Sequence, residues 1–212
     1  MSFRNSVKKY AETPITRQLV LEVLDGYENI NDKITQLIKS NELIALRRGL
    51  YILGPQLDLP APTPFLIANH LRGPSYVSLE SALSHWDMIP EKVFEISSVT
   101  IKTSKVYQNT TGRYSYKQLR TPYYSYGIKN MMFSSKQTIL IATPEKALCD
   151  KIVLTPKVYL RSMTQTRAFL LDDLRIDRED LRKLDTVMMK QWLEMAPKKS
   201  SLVMLIKTLK TL

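Results

Sequence analysis

Four prolines (Pro55, Pro60, Pro62 and Pro64) fall within the eleven residues from Gly54 to Pro64, and that density decides how the chain divides. Proline has no amide hydrogen to donate and its ring collides with a preceding helical turn. Neither a central strand nor a helix interior can therefore cross this stretch. It reads as a linker, residues 56–64, between an N-terminal unit, residues 1–55, and a larger unit, residues 65–212.

Immediately before the prolines lies Leu43-Ile44-Ala45-Leu46-Arg47-Arg48-Gly49-Leu50-Tyr51-Ile52-Leu53. Two short β-prone runs flank a basic tip, and Gly49 stands where a tight hairpin needs a residue tolerant of positive φ. So short a hairpin is marginal alone and must lean on what precedes it. Upstream, Thr13-Pro14 reads as N-cap and first residue of a helix with Ile15, Leu19, Val20, Val23 and Leu24 along one side, stopped by Asp25-Gly26. A second helix is expected over residues 29–40, with Ile30, Ile34, Leu37 and Ile38 in one stripe. A rotation of about 100° per residue puts Asn29, Asp32, Gln36 and Lys39 opposite that stripe and Lys33 on its flank. A hairpin with an arginine pair behind such helices has the build of a winged helix-turn-helix. The same residues also fit a surface hairpin whose arginines only solvate its turn. If the first reading holds, Lys8 and Lys9 in an N-terminal arm, Arg17 at a helix start, Lys33, Gln36, Lys39, Arg47 and Arg48 are the candidate DNA contacts.

Past the linker the expected elements are a helix over residues 64–71 and a helix capped by Ser78 and running to Trp86. Strands are expected over residues 96–103, 112–118, 123–133 and 136–141, and a helix opens at Thr143-Pro144-Glu145. From Lys157 onward the pattern is helical, with Asp172, Asp177 and Asp185 as caps and a final amphipathic helix over residues 198–212. The fold class is α+β: an N-terminal winged helix-turn-helix, then a mixed α/β domain with an antiparallel-rich sheet and a helical C-terminus.

Charge is unevenly spread. The whole chain carries a formal +11, yet residues 1–55 hold eight Lys/Arg against six Asp/Glu. Between Ile96 and Ile141 there are seven basic residues and no acidic one. A net positive chain favours an anionic partner, with nucleic acid first. Lys102, Lys105, Arg113, Lys117 and Arg120 make a second basic surface, for extended DNA contact or an acidic partner. No apolar run reaches the roughly 18–20 residues that span a bilayer. The opening Met1-Ser2-Phe3-Arg4-Asn5-Ser6 lacks a signal peptide's apolar run. A single cysteine, Cys149, excludes an intrachain disulfide. These features imply a cytoplasmic protein without a membrane partner.

Catalytic signals are weak. Glu145 and Asp150 are five apart on a helix, about 140° around its axis, so they do not converge on one metal ion. Lys146 and Asp150 have the spacing of a surface ion pair, and Glu145 suits the positive end of the helix dipole. Cys149 sits among apolar neighbours, His70 and His85 fall on separate helices, and the methionines read as core filling. No P-loop or dinucleotide fingerprint occurs, and no cofactor or metal is expected.

Three separated stretches agree with one family. Leu46-Arg47-Arg48-Gly49-Leu50-Tyr51 resembles the wing of the AbiEi-family antitoxins of type IV toxin–antitoxin (abortive infection) systems. Tyr76-Val77-Ser78-Leu79-Glu80-Ser81-Ala82-Leu83, running into His85-Trp86-Asp87-Met88-Ile89-Pro90-Glu91, looks like the start of that family's second domain. Ala142-Thr143-Pro144-Glu145-Lys146-Ala147-Leu148-Cys149-Asp150 is similar to its A-x-P-E-K-A-L-x-D helix start. The stretches bracket roughly residues 10–155, whereas the segment between the first two helices is very short for a full helix-turn-helix and the chain after Leu160 has no matched counterpart. The resemblance implies an autorepressor that binds inverted repeats in double-stranded operator DNA. It also implies a non-enzymatic antitoxin opposing a nucleotidyltransferase-like toxin without an obligatory stable complex. The alternative is a metal-dependent nuclease or nucleotide-processing enzyme targeted by a winged helix, with Glu145 or Asp150 holding the metal.

Overall fold

In the computed structural model, which describes residues 3–91 and 93–212, the N-terminal unit opens with α1 (Phe3–Val7) and a 3-10 turn (Lys8–Tyr10). Met1, Ser2 and Lys92 lie outside the described residues. There follow β1 (Ile15–Thr16), α2 (Arg17–Val23), α3 (Ile30–Lys39) and a hairpin of β2 (Leu43–Arg47) and β3 (Leu50–Leu53). The helix expected at Thr13-Pro14 begins instead at Arg17. Ile15 and Thr16 are taken by pairing with Tyr51 and Leu50, and Thr16 then caps α2 by accepting from Leu19 N at 3.4 Å. The three strands form one antiparallel sheet in the order β1-β3-β2. Gly49 has φ +79, in the left-handed region that its turn requires.

The second unit runs α4 (Pro64–Leu71), β4 (Ser75–Val77), α5 (Leu79–His85), β5 (Glu95–Thr100), β6 (Lys105–Asn109), β7 (Gly112–Gln118), β8 (Ile128–Ser134), β9 (Gln137–Ala142) and α6 (Pro144–Leu154). It closes with α7 (Met163–Ala168), continued by a π-turn, then α8 (Arg178–Arg182), α9 (Thr186–Gln191) and α10 (Lys199–Leu209). Its six strands form a mixed sheet in the order β6-β7-β5-β4-β9-β8, three pairs antiparallel and two parallel. Thr63 and Thr143 cap α4 and α6, and Asp177 and Asp185 cap α8 and α9. Asp172 is no cap, because it lies inside the π-turn. Ser78 stands at the start of α5 but its hydroxyl is spent elsewhere. The strand expected over residues 123–133 breaks into a 3-10 turn after Pro122 and then β8. No helix among the described residues is long and apolar enough to cross a membrane.

The β2–β3 hairpin belongs to both units. Side chains alternate across a strand. Leu43, Tyr51 and Leu53 enter one core with Val20, Leu24, Ile34 and Leu37. Leu46, Leu50 and Ile52 enter the other core with Leu66, Ile67 and Leu71 of α4. All four β3 residues are buried as a result. The proline-rich segment is correspondingly pinned: Glu12 N donates to the Pro60 carbonyl at 3.2 Å, and Gln137 bonds both Thr63 N and the Ala61 carbonyl. Glu12 Oε2 accepts from Ser134 Oγ at 3.0 Å and Gln137 Nε2 at 3.1 Å, tying the first unit to the β8–β9 turn.

Behind the large sheet, Lys146 and Asp150 correct the expectation of a surface ion pair. Both are wholly buried, with Nζ and Oδ1 2.9 Å apart. Asp150 Oδ2 accepts from Tyr76 Oη at 2.9 Å and Ser78 Oγ at 2.8 Å, while Lys146 Nζ donates to the Tyr123 carbonyl and lies 3.4 Å from that ring's centroid. Burial pulls the ammonium below its ordinary value, with Asp150 opposing. Burial first, then the Asp150 charge, pushes the Tyr76 phenol well up.

Two outcomes follow from these contacts. Lys146→Met should lower stability in urea by roughly 3–5 kcal/mol, because it strands a buried carboxylate. Adding Asp150→Asn should recover part of that loss, since the amide oxygen still accepts from Tyr76 and Ser78. A loss under about 1 kcal/mol, the worth of a surface pair, would contradict the burial. Second, hydrogen bonds from Gln137 and then Ser134 hold the Glu12 carboxyl below its ordinary 4.5. A carboxyl lowered in the folded state stabilises above its unfolded value and loses that contribution as pH falls through its folded one. Urea midpoints measured across that acid range should therefore fall less steeply for Glu12→Gln than for the unaltered chain, and identical slopes would count against the clamp.

Candidate nucleic-acid interface

Helix α2 starts beside the hairpin turn because Thr16 pairs with Leu50, the first residue after that turn. Arg17 N donates to the Gly49 carbonyl at 3.0 Å, and Arg17 Nη2 donates to Asn31 Oδ1 of α3 at 2.7 Å. One residue thus joins the hairpin tip to the exposed side of α3. That side presents Asn31, Asp32, Thr35, Gln36 and Lys39, while Ile34 and Leu37 are buried behind it. Lys33 is half-buried; its Nζ donates to Gln36 Oε1 at 3.2 Å and stands 5.4 Å over the Tyr27 ring. A shallow depression of about 540 Å³ lies between this helix and its entry turn, lined by Tyr27, Glu28, Asn29, Asp32, Lys33 and Gln36. Amide and carboxylate groups beside lysines can read donor and acceptor patterns on base edges.

Of the candidate contacts, Arg17, Gln36, Lys39 and Lys33 come together on this side. Lys8 and Lys9 do not join them. They sit exposed on the 3-10 turn after α1, Lys9 over the Tyr10 ring, and no hydrogen bond or ion pair among the described residues links them to α3. The arginine pair separates. Both are exposed at the tip, but Arg47 Nε donates to the Leu71 carbonyl at 3.0 Å and its Nη1 to the Arg48 carbonyl. Leu71 ends α4, so its carbonyl lacks a helical partner and lies at the negative end of the dipole. Lys102 Nζ donates to the Gly73 carbonyl just beyond, and Arg72 makes three hydrogen bonds to Thr103 at 2.7–3.0 Å. Arg47, Arg72 and Lys102 therefore form a cationic rim between hairpin and sheet. Burial pushes the nearby Tyr116 phenol up, and Arg72 and Arg47 pull it partly back. Arg72, Asn31 and Thr35 escaped the sequence reading, although a helical wheel places Asn31 and Thr35 beside Asp32 and Gln36.

The five cations proposed as a second surface are split. Lys102 belongs to the rim. Register places Arg113 and Lys117 on one sheet face with Ser97, Ser115 and Val99, and Arg113 pairs with Glu95. Lys105 and Lys117 border a groove of about 630 Å³ over Val106 and Ser115, closed on its far side by Leu154 and Pro156. Arg120 is exposed beyond β7, outside that groove.

The residues with catalytic potential are dispersed. Glu145 Oε1 accepts from Asp185 N at 3.1 Å, while Asp150 faces the buried lysine. Cys149 is buried and its thiol is pushed up to about 12, chiefly by desolvation. His85 packs its ring against Phe65, Trp86 and Phe133, and His70 is exposed on α4. No group of three or more His, Cys, Asp or Glu among the described residues is placed to hold a metal ion. Compared with protein families and with curated proteins, the chain matches no family and no curated protein.

Proposed function

We propose that this protein is a winged-helix autorepressor and the antitoxin of a type IV toxin–antitoxin pair. Residues 3–57 have the element order of a winged helix-turn-helix: helix, short strand, two helices and a hairpin, with the first strand added to the hairpin's second. The observation that carries the reading is Arg17, which holds the hairpin turn and α3 in one surface through its backbone and its side chain. In this reading α3 enters the major groove of an operator, with Asn31 and Gln36 towards base edges. Arg17, Lys39 and Arg48 contact phosphates, and the Arg47–Arg72–Lys102 rim prolongs the positive path towards the sheet.

The antitoxin half rests on the resemblance of three stretches to the AbiEi family. Two of them meet in space: Tyr76 and Ser78 of the second stretch hydrogen-bond Asp150 of the third, and Lys146 pairs with it. The spacing of the third stretch thus has a physical reason here. In this reading the protein it opposes is a nucleotidyltransferase-like toxin, countered without an obligatory stable complex.

Binding to a duplex carrying the inverted repeat upstream of the protein's own coding sequence tests the repressor half. Arg17→Ala and Arg48→Ala should each weaken binding and flatten its dependence on log salt by about one unit, the share of one phosphate contact. Arg47→Ala should change that slope less, because its guanidinium is bonded to the end of α4. Undiminished binding by Arg17→Ala and Arg48→Ala would refute the interface. Absence of a nucleotidyltransferase-like protein encoded beside this one, or failure of the chain to restore growth to cells expressing it, would refute the antitoxin half.

A further inference from the structure

We infer that the outer edge of β8 is a docking site for an extended acidic segment of another protein, added to the sheet as a seventh strand. β8 closes the sheet opposite β6 and pairs with β9 alone; its other edge has no strand beside it among the described residues. A sheet edge presents unpaired amide and carbonyl groups in a row, and a second chain can complete them.

Side chains around this edge are unusually apolar for a surface. Met132 is 76% exposed and Phe133 45%, and Met132 so departs from the expectation that the methionines fill the core. Phe133 occupies a bulge between Met132 and Ser134 that turns its ring onto Phe65 and His85, at centroid distances of 6.1 and 5.9 Å. His85 in turn packs on Trp86 at 4.9 Å and approaches Met131 Sδ at 3.3 Å. Aromatic and methionine side chains on a strand and the helices beside it offer apolar surface against which the alternate side chains of an added strand can pack.

Charge selects the occupant. No Asp or Glu occurs anywhere between Ile96 and Ile141, and Lys129 stands on β8 itself, 5.7 Å over the Trp86 ring. Lys136 follows at the turn, where Glu12 is already held by Ser134 and Gln137. A second copy of the chain would bring another formal +11 against this edge. An acidic strand meets complementary charge instead. The inference does not depend on DNA binding, since α3, Arg17 and Arg48 contribute nothing to β8.

The test uses the full chain with a short peptide of alternating glutamate and valine, read by amide hydrogen exchange. Exchange should slow across residues 128–134 and stay unchanged across 105–109, the opposite edge. A lysine–valine peptide should not protect, and Lys129→Glu or Met132→Glu should weaken the acidic peptide roughly fivefold or more while leaving operator binding intact. Absent protection, equal protection by both peptides, or protection at both edges would overturn the proposal. So would protection without peptide that vanishes on dilution, which would assign the edge to a second copy.

Discussion

The alternation of side chains along one four-residue strand holds the two halves of this molecule together. In β3, Tyr51 and Leu53 face the helices of the N-terminal unit, while Leu50 and Ile52 face α4 and the large sheet. A two-stranded hairpin buried on one side only is marginal, because half its apolar surface stays wet. Burying both sides removes that surface from water, at about 25 cal/mol per Å², and makes each core depend on the other. Arg47 on the end of α4, Asn109 Nδ2 on the Leu46 carbonyl and Glu12 on the β8–β9 turn are polar contacts at the margins of that arrangement. They set orientation more than energy, since exposed hydrogen bonds and ion pairs are worth little beside buried apolar area.

This arrangement also shapes what the cationic groups can do. A free wing could follow a duplex with both arginines. A hairpin packed on both faces offers only its tip, and Arg47 is bonded to the end of a helix. Fixing the tip costs freedom but would lower the ordering penalty of the proposed duplex binding, because Arg17 already joins it to α3. The large sheet is stiffened from behind by the Lys146–Asp150 pair. With Oδ1 beside the Lys146 ammonium and Oδ2 hydrogen-bonded to Tyr76 and Ser78, that pair is expensive to break and adds little over apolar packing, so its effect is mainly to set how α6 sits on β4.

Local chemistry made much of this visible in advance. Thr143-Pro144 announces a helix start because cap and N1 residue adjoin, and α6 begins there, whereas at Thr13-Pro14 the same pair precedes a strand and the helix starts at Arg17. Gly49 marked its turn because glycine tolerates the positive φ needed there, and the apolar stripes of α3 and α10 were apparent from their spacing. What stayed hidden depends on distant partners. β4 is three wholly buried residues with no period to read, and β6 is a polar strand lacking an apolar face. The i,i+4 spacing of Lys146 and Asp150 is the same on a surface as in a core. Of the candidate interface, the α3 side chains could be placed by rotation alone. The destination of Arg47 could not, because it is set by the end of a helix more than twenty residues away.

If the hairpin is a wall shared by two cores, damage to one of its faces must be felt on both sides. Native-state hydrogen exchange on the full chain carrying Leu50→Ala measures this directly, since that change empties only the side facing α4. The account predicts that slow amides in α3 and in β9 lose protection by comparable amounts. Loss confined to β9, with α3 exchanging as in the unaltered chain, would contradict it.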